Sequence, residues 1–133
     1  MIMKLHHIGI IVKDIQKSLG ELAKYFEFQE TTIPTLVKSQ KVNVCFLRSS
    51  DVYIELIEPI EDDSPVKSIA ETGGGFHHLC FEVDDILKSI DKLKTDGARI
   101  LGDGKPKIGA HGKPVIFLHP KDFNGTLIEL EQL

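Results

Sequence analysis

The sequence has no excess of positive charge, no long apolar run and few cysteines, and each of these absences excludes a class of protein. Its 16 Lys and Arg residues are outnumbered by 20 Asp and Glu residues, for a formal net charge of -4, whereas a nucleic-acid-binding domain usually carries a basic stripe. No apolar run approaches the roughly 20 residues that a membrane-spanning helix needs. We therefore expect neither nucleic acid nor a membrane among its partners.

The two cysteines, Cys45 and Cys80, fit no CxxC metal-binding or redox pattern. Near the amino terminus a strand-like segment, LHHIGIIV, begins at Leu5 after only one lysine, which is not the pattern of a secretory signal peptide. Disulfides are typical of oxidising compartments. We therefore expect two buried free thiols in a cytoplasmic protein.

The sequence contains an internal duplication. At an offset of 71 residues, HHIGIIVKDIQKSL (6–19) aligns with HHLCFEVDDILKSI (77–90), and VCFL (44–47) aligns with VIFL (115–118). After a three-residue insertion, IEL at 54–56 matches IEL at 128–130. A length of 133 residues suits one domain. We predict a single domain over 1–133, made of module one (1–62) and module two (74–133).

Each module has the pattern of a strand, a helix and three further strands. An alternating strand (5–12 or 77–83) leads to Asp14 or to Asp84-Asp85, which are good helix N-cap residues. Helices are predicted over 14–26 and 84–95, with a short one over 65–72, and strands over 29–36, 42–49, 52–59, 98–101, 114–119 and 126–131. The predicted fold class is α+β: two tandem βαβββ modules related by a pseudo-two-fold axis, forming a cupped mixed and antiparallel sheet with helices on the outside.

Strand alternation predicts the direction of the polar side chains, because successive residues of a strand face opposite sides. In the first strand of module one, Ile8 and Ile10 form the apolar face, so His7 faces the other way. The same reasoning turns Glu55 away from the helix. The duplicate positions in module two are His78 and Glu129. If the modules pack about a two-fold axis, all four side chains converge.

Two imidazoles and two carboxylates suit a divalent cation. Four N and O ligands leave two positions of a six-coordinate ion for water or substrate, and the two carboxylates neutralise its charge. A single histidine on a strand is more often a satisfied core residue than a ligand. Because the four residues recur in register, we predict a metal site of His7, Glu55, His78 and Glu129.

The chain resembles the vicinal oxygen chelate (glyoxalase I-like) superfamily, and within it the methylmalonyl-CoA epimerases. The resemblance rests on HHIGIIVKDI, YIELIEPIEDDSPV, GGGFHHLCFEVDDI and KIGAHGKPVIFLHPKDFNGTLIELEQ, which span nearly the whole chain. It implies paired βαβββ modules and selects the same four metal ligands, with Gln or Glu at the position of Glu55. The implied ion is divalent, and cobalt, manganese, nickel, magnesium and zinc all remain open.

The resemblance implies epimerisation or racemisation of a short-chain 2-acyl-CoA thioester through an enediolate. The ion would hold the thioester carbonyl and a neighbouring carboxylate, and Glu129 would serve as one acid-base group. The chain departs from the epimerase pattern at KSQKV, where relatives often carry a glutamate and this sequence has Ser39 and Gln40. The second acid-base group is therefore not identified from the sequence.

The loop from Lys105 to Lys121 is locally basic, with four lysines and two histidines. Such a loop attracts carboxylates or the phosphates of coenzyme A, although a solvated surface loop has the same composition. The glycines of GAHGKP suit a close approach of the backbone to a ligand. The candidate substrate-binding residues are Gln40, His111, Lys113 and Lys121.

Two other functions remain open. A glyoxalase I-type lactoylglutathione lyase would use the same metal and enediolate chemistry, with glutathione in place of coenzyme A. A non-enzymatic small-molecule binder would keep the cup and often lose the ligands, and the presence of all four candidates argues against it. Pairing of exposed edge strands predicts a homodimer.

Overall fold

The computed structural model describes residues 3–133 and confirms, in both modules, the first strand, the helix and the last two strands in the predicted order. The first module contains β1 (Met3–Ile11), α1 (Ile15–Tyr25), β2 (Glu30–Thr31), β3 (Thr35–Val37), β4 (Val42–Ser49) and β5 (Val52–Pro59). The short helix α2 (Lys67–Glu71) follows. The second module contains β6 (Gly75–Val83), α3 (Ile86–Thr95), β7 (Lys107–Ile108), β8 (Pro114–Leu118) and β9 (Leu127–Gln132).

The described chain forms two compact units, and the first of them is His7–His77. Its strands follow the order β2-β4-β5-β1, and β3 also pairs with β4. Strands β4 and β5 form an antiparallel hairpin from Val42↔Pro59 to Ser49↔Val52. Strand β1 lies parallel to β5, and this register places Gly9 beside Glu55.

The second unit joins residues 3–6 with His78–Leu133. Its strands follow the order β6-β9-β8-β7. Strand β6 lies parallel to β9, with Cys80 beside Glu129, and β8 pairs antiparallel with β9, with Phe117 beside Glu129. This unit therefore repeats the parallel and antiparallel pairings of the first.

The helix caps repeat as well, which confirms the duplication. The Asp14 side chain accepts a hydrogen bond from Lys17 N, and the Asp85 side chain accepts one from Lys88 N, each at 3.1 Å. A side chain from the last strand of each module completes the cap: Glu58 Oε2 accepts from Ile15 N at 3.0 Å, and Gln132 Oε1 accepts from Ile86 N at 2.9 Å. Both modules thus satisfy the first free amides of their helix in the same way.

The apolar faces of the two predicted helices pack against the strands of their own units. In the first unit, Ile15, Leu19 and Leu22 lie in a cluster with Leu47, Ile54 and Leu56. In the second unit, Ile86, Ile90 and Leu93 lie in a cluster with Leu118, Ile128 and Leu130. Each sheet therefore buries one face under its helix, and the glutamates between these apolar strand residues are turned to the opposite face.

Two predicted strands are wrong in detail. The strand predicted over 29–36 is interrupted and forms β2 and β3, because Pro34 has no amide hydrogen and restricts the residue before it. The strand predicted over 98–101 is reduced to a single bridge between Ile100 and Leu118, since Gly102 turns the chain at a φ of 74°. Strand β7 was not predicted.

Both cysteines are thiols with no exposed surface, which confirms the prediction of buried thiols. Burial raises the pKa of the Cys45 thiol, so this side chain acts as a small apolar group. No helix within residues 3–133 is long and apolar enough to cross a membrane.

The turn before β6 depends on a glycine. A Cβ at Gly74 would overlap the carbonyl oxygen of Ile11, and the residue has a φ of +72°. We expect Gly74→Ala to lower the free energy of unfolding by about 3 kcal/mol or more, because steric overlap adds to left-handed strain. Gly73→Ala is the matched control: its φ is +117° with nothing within 4 Å of a Cβ, so about 1–2 kcal/mol of strain remains. Urea denaturation of both variants measures the difference, and equal losses would contradict the expectation.

Candidate functional site

The first unit contains a buried pair of a histidine and a glutamate, which we call the first half-site. His7 on β1 is 2% exposed and Glu55 on β5 is 6% exposed. The His7 Nε2 and Glu55 Oε1 atoms lie 3.3 Å apart. Phe46 packs edge-on against the imidazole, with ring centroids 5.4 Å apart, so the ring is oriented by contacts on two sides.

The second unit repeats this arrangement at the duplicate residues, which form the second half-site. His78 on β6 and Glu129 on β9 are 3% and 6% exposed. The His78 Nε2 and Glu129 Oε1 atoms also lie 3.3 Å apart. The ring of Phe117 packs edge-on against the His78 imidazole, with ring centroids 5.9 Å apart. Each predicted ligand thus lies beside the other predicted ligand of its own module.

The spacing within each half-site fits the coordination of a cation. Two atoms bound to one ion at about 2.1 Å, with about 90–110° between them, lie about 3.0–3.4 Å apart. Both pairs meet this condition without rearrangement. A buried carboxylate is costly unless it is paired or bound to a metal, and the imidazole nitrogen and carboxylate oxygen of each pair are donors that divalent transition metals accept. The donor set therefore fits a divalent cation.

The predicted substrate-binding residues lie in different parts of the fold. Gln40 ends a 3₁₀ turn, Lys38–Gln40, in the first unit. His111 lies at the tip of the β7–β8 hairpin, where Gly109 N donates to Lys113 O at 3.0 Å. Lys121 is exposed in the 3₁₀ turn Pro120–Phe123. The structure thus places His111 and Lys113 on one hairpin and Lys121 on a separate turn.

Two polar residues near His111, Glu131 and His6, were not predicted from the sequence as site residues. Glu131 is 2% exposed, and its Oε2 atom lies 3.1 Å from His111 Nδ1. The His6 Nδ1 atom lies 4.0 Å from Glu131 Oε1. Strand alternation contained the signal for Glu131, because it lies two residues after Glu129 and so on the same face of β9.

Comparisons with known proteins identify the superfamily and the relatives of this chain. The Glyoxalase/Bleomycin resistance protein/Dioxygenase superfamily matches residues 6–117. The ethylmalonyl-CoA/methylmalonyl-CoA epimerase of Cereibacter sphaeroides is 46% identical over 135 residues, which cover 100% of both chains. The mitochondrial methylmalonyl-CoA epimerase of Homo sapiens is 40% identical over 131 residues, which cover 97% of this chain and 73% of the human protein.

A solved structure points to the same relatives. A methylmalonyl-CoA epimerase in complex with methylmalonyl-CoA and NH4+ matches with a TM-score of 0.88 and 31% identity, covering 99% of this chain and 95% of that one. The chain therefore belongs to the glyoxalase I-like, or vicinal oxygen chelate, superfamily and, within it, to the methylmalonyl-CoA epimerase family. The resemblance and the α+β fold class predicted from the sequence are both confirmed.

Proposed function

We propose that this protein is an isomerase that epimerises a short-chain 2-acyl-CoA thioester, with methylmalonyl-CoA as the first substrate to test. The observation that carries the proposal is the pair of equivalent, buried His–Glu half-sites in a chain that matches an epimerase over its whole length. The substrate class is that of the relatives: the Cereibacter sphaeroides protein is named for both ethylmalonyl-CoA and methylmalonyl-CoA.

We further propose that the two half-sites together hold one divalent cation, with His7, Glu55, His78 and Glu129 as its ligands. Three features support this: each half-site has the spacing of two ligands on one ion, the two spacings are equal, and both carboxylates are buried. The two carboxylates offset the charge of the ion. Imidazole suits zinc and nickel, and carboxylate suits manganese and magnesium, so the mixed donor set does not choose among cobalt, manganese, nickel, zinc and magnesium. Cobalt offers a visible absorption spectrum as a readout.

The chemistry of the reaction assigns a role to Glu129. A bound divalent ion would supply Lewis-acid stabilisation of negative charge on the thioester oxygen. Glu129 takes the α-proton from one face of C2, and a second acid-base group on the other face donates a proton to C2, which inverts the configuration. The C–H bond broken on one face is replaced by a C–H bond on the other, so the reaction needs no oxidant or other co-reactant.

The substrate is held by groups outside the half-sites. We propose that Lys113 and Lys121 attract the carboxylate or phosphates of the acyl-CoA and that Gln40 contributes a hydrogen bond. The His111 side chain contacts the substrate from the tip of the β7–β8 hairpin. A homodimer remains a prediction, which sedimentation equilibrium tests by the mass of the particle in solution.

Proton exchange tests the proposed activity directly. In deuterated water, the cobalt-loaded protein should remove the α-proton signal of methylmalonyl-CoA from the proton NMR spectrum. The exchange should disappear after chelation of the metal. If no exchange occurs in protein that holds an ion which His7→Asn removes, the epimerase proposal fails, and the thiohemiacetal substrate of a lactoylglutathione lyase becomes the next assay. A protein that neither exchanges the proton nor binds metal would be a small-molecule binder.

A further inference from the structure

The second module carries a buried acid that the first module lacks. At the offset that aligns the two IEL segments, Glu131 corresponds to Ile57, which is 5% exposed and apolar. His111 corresponds to Gln40 at the offset of 71. The first module shows that an apolar residue fits this strand position. A carboxylate that is 2% exposed there is costly to bury and needs a cation or strong donors beside it.

Two imidazoles from distant parts of the second unit meet at this carboxylate. The His111 Nδ1 atom lies 3.1 Å from Glu131 Oε2, and the His6 Nδ1 atom lies 4.0 Å from Glu131 Oε1. The two imidazole rings contact edge to face, with centroids 5.1 Å apart. One donor atom from each of the three residues lies within 4.8 Å of the others.

These distances are close to those of a coordinated ion. Neighbouring ligands on one ion lie about 3.0–3.4 Å apart and opposite ligands about 4.2 Å apart. The pair formed by His111 and Glu131 already falls within the shorter range. The widest separation in the cluster is up to 4.8 Å, which exceeds the spacing of opposite ligands by about 0.6 Å and that of neighbouring ligands on a tetrahedral ion by about 1.4 Å. Rotation of the His6 and His111 side chains, the latter one-third exposed, brings the donor atoms together.

The backbone of the hairpin positions His111 for this contact. Strand β7 pairs with β8 through Ile108 and Pro114. The tip is closed by two hydrogen bonds, from Gly109 N to Lys113 O at 3.0 Å and from Gly112 N to Gly109 O at 3.1 Å. A Cβ at Gly109 would lie 2.9 Å from Val115 Cγ1, so the tip lies directly on β8 and next to the position of Glu131 on β9.

We propose that His6, His111 and Glu131 form a second divalent-metal site, which we call the hairpin-tip site. Two imidazoles and one carboxylate are the donor set of zinc, nickel, copper and ferrous iron, and three protein ligands leave positions open for water or an anionic group. The site shares no residue with the two half-sites. A bound ion ties the hairpin to β9, the strand that also carries Glu129.

Counting zinc ions tests the hairpin-tip site. Protein stripped with a chelator is loaded with zinc, passed over a desalting column and analysed by mass spectrometry for ions per chain. We expect two ions in the wild-type protein and one in both His111→Asn and Glu131→Gln. His7→Asn should also lose one ion, and the double variant of His7 and His111 should lose both. His119→Asn, which changes a histidine outside both proposed sites, is the matched control and should keep two.

Cobalt provides the second readout. In protein loaded with two equivalents, the visible bands of the hairpin-tip site should disappear in His111→Asn while those that depend on His7 remain. The proposal is overturned if His111→Asn and Glu131→Gln keep the wild-type ion count, or if the wild-type protein binds one ion that His7→Asn removes. One ion that only His111→Asn removes would support this site and contradict the four-ligand site instead. His111 lies on an exposed hairpin tip, so its variant should fold, as a thermal melt will verify.

Discussion

Glu129→Gln is expected to lower kcat/KM for epimerisation by about 10²–10⁴-fold, the range that a general acid-base group contributes. The amide of glutamine keeps an oxygen that can coordinate a metal, but it cannot take up the α-proton. The protein should therefore retain its bound ion and its fold while losing proton exchange in deuterated water. The measurements are the exchange rate at C2, the metal content and the melting temperature of the same preparation.

Glu55→Gln is the matched control, because it makes the same change at the equivalent position of the first module. Glu55 and Glu129 have the same burial and the same spacing to their histidines. If Glu55 acts only as a ligand, its replacement by an amide should cost less than about tenfold in kcat/KM, since the ligand oxygen is kept. Equal losses in the two variants would contradict the assignment of the proton transfer to Glu129.

The side-chain directions that could be predicted from the sequence are those that depend on local periodicity. Strand alternation is a local property, so it gave the direction of His7 and Glu55 once the strand was identified. The repeat then predicted the same direction for His78 and Glu129, whose role as metal ligands stays a prediction. The caps at Asp14 and Asp85 were also predictable, because N-capping depends on residues within one turn of the helix.

The residues that were missed depend on long-range pairing. The contact between His111 and Glu131 forms only because the β7–β8 hairpin closes and places its tip beside β9. Strand β7 has only two residues, which is too short for a periodic pattern in the sequence. Neither the strand nor its register could therefore be predicted. Glu131 lies on the predicted face, but its duplicate is the apolar Ile57, so the repeat of polar residues gives no signal for it. The candidate site at Glu131 therefore lies where the two modules differ, and the repeat alone could not identify it.

Removal of the metal is expected to lower the melting temperature by roughly 8–13 °C. An ion present at about 100 times its dissociation constant stabilises the folded state by about 2.7 kcal/mol, and each kcal/mol shifts the midpoint of a domain of this size by about 3–5 °C. The physical reason is that Glu55 and Glu129 are both buried, so the ion favours the folded state in which they are fixed. Differential scanning calorimetry with cobalt and with a chelator measures the shift.

The experiment is best done in the His111→Asn background, so that an ion at the hairpin-tip site does not contribute to the midpoint. His78→Asn in the same background is the control: with one ligand of the four-ligand site removed, cobalt and chelator should give nearly the same melting temperature. A midpoint in the parent that does not change with cobalt would show that the half-sites do not bind the ion in the folded state. A shift that His78→Asn fails to reduce would place the stabilising ion elsewhere in the molecule. If cobalt raises the melting temperature of the His111→Asn parent but not that of the variant that also carries His78→Asn, the ion belongs to the half-sites. The stability of the fold is then connected to the chemistry proposed for Glu129.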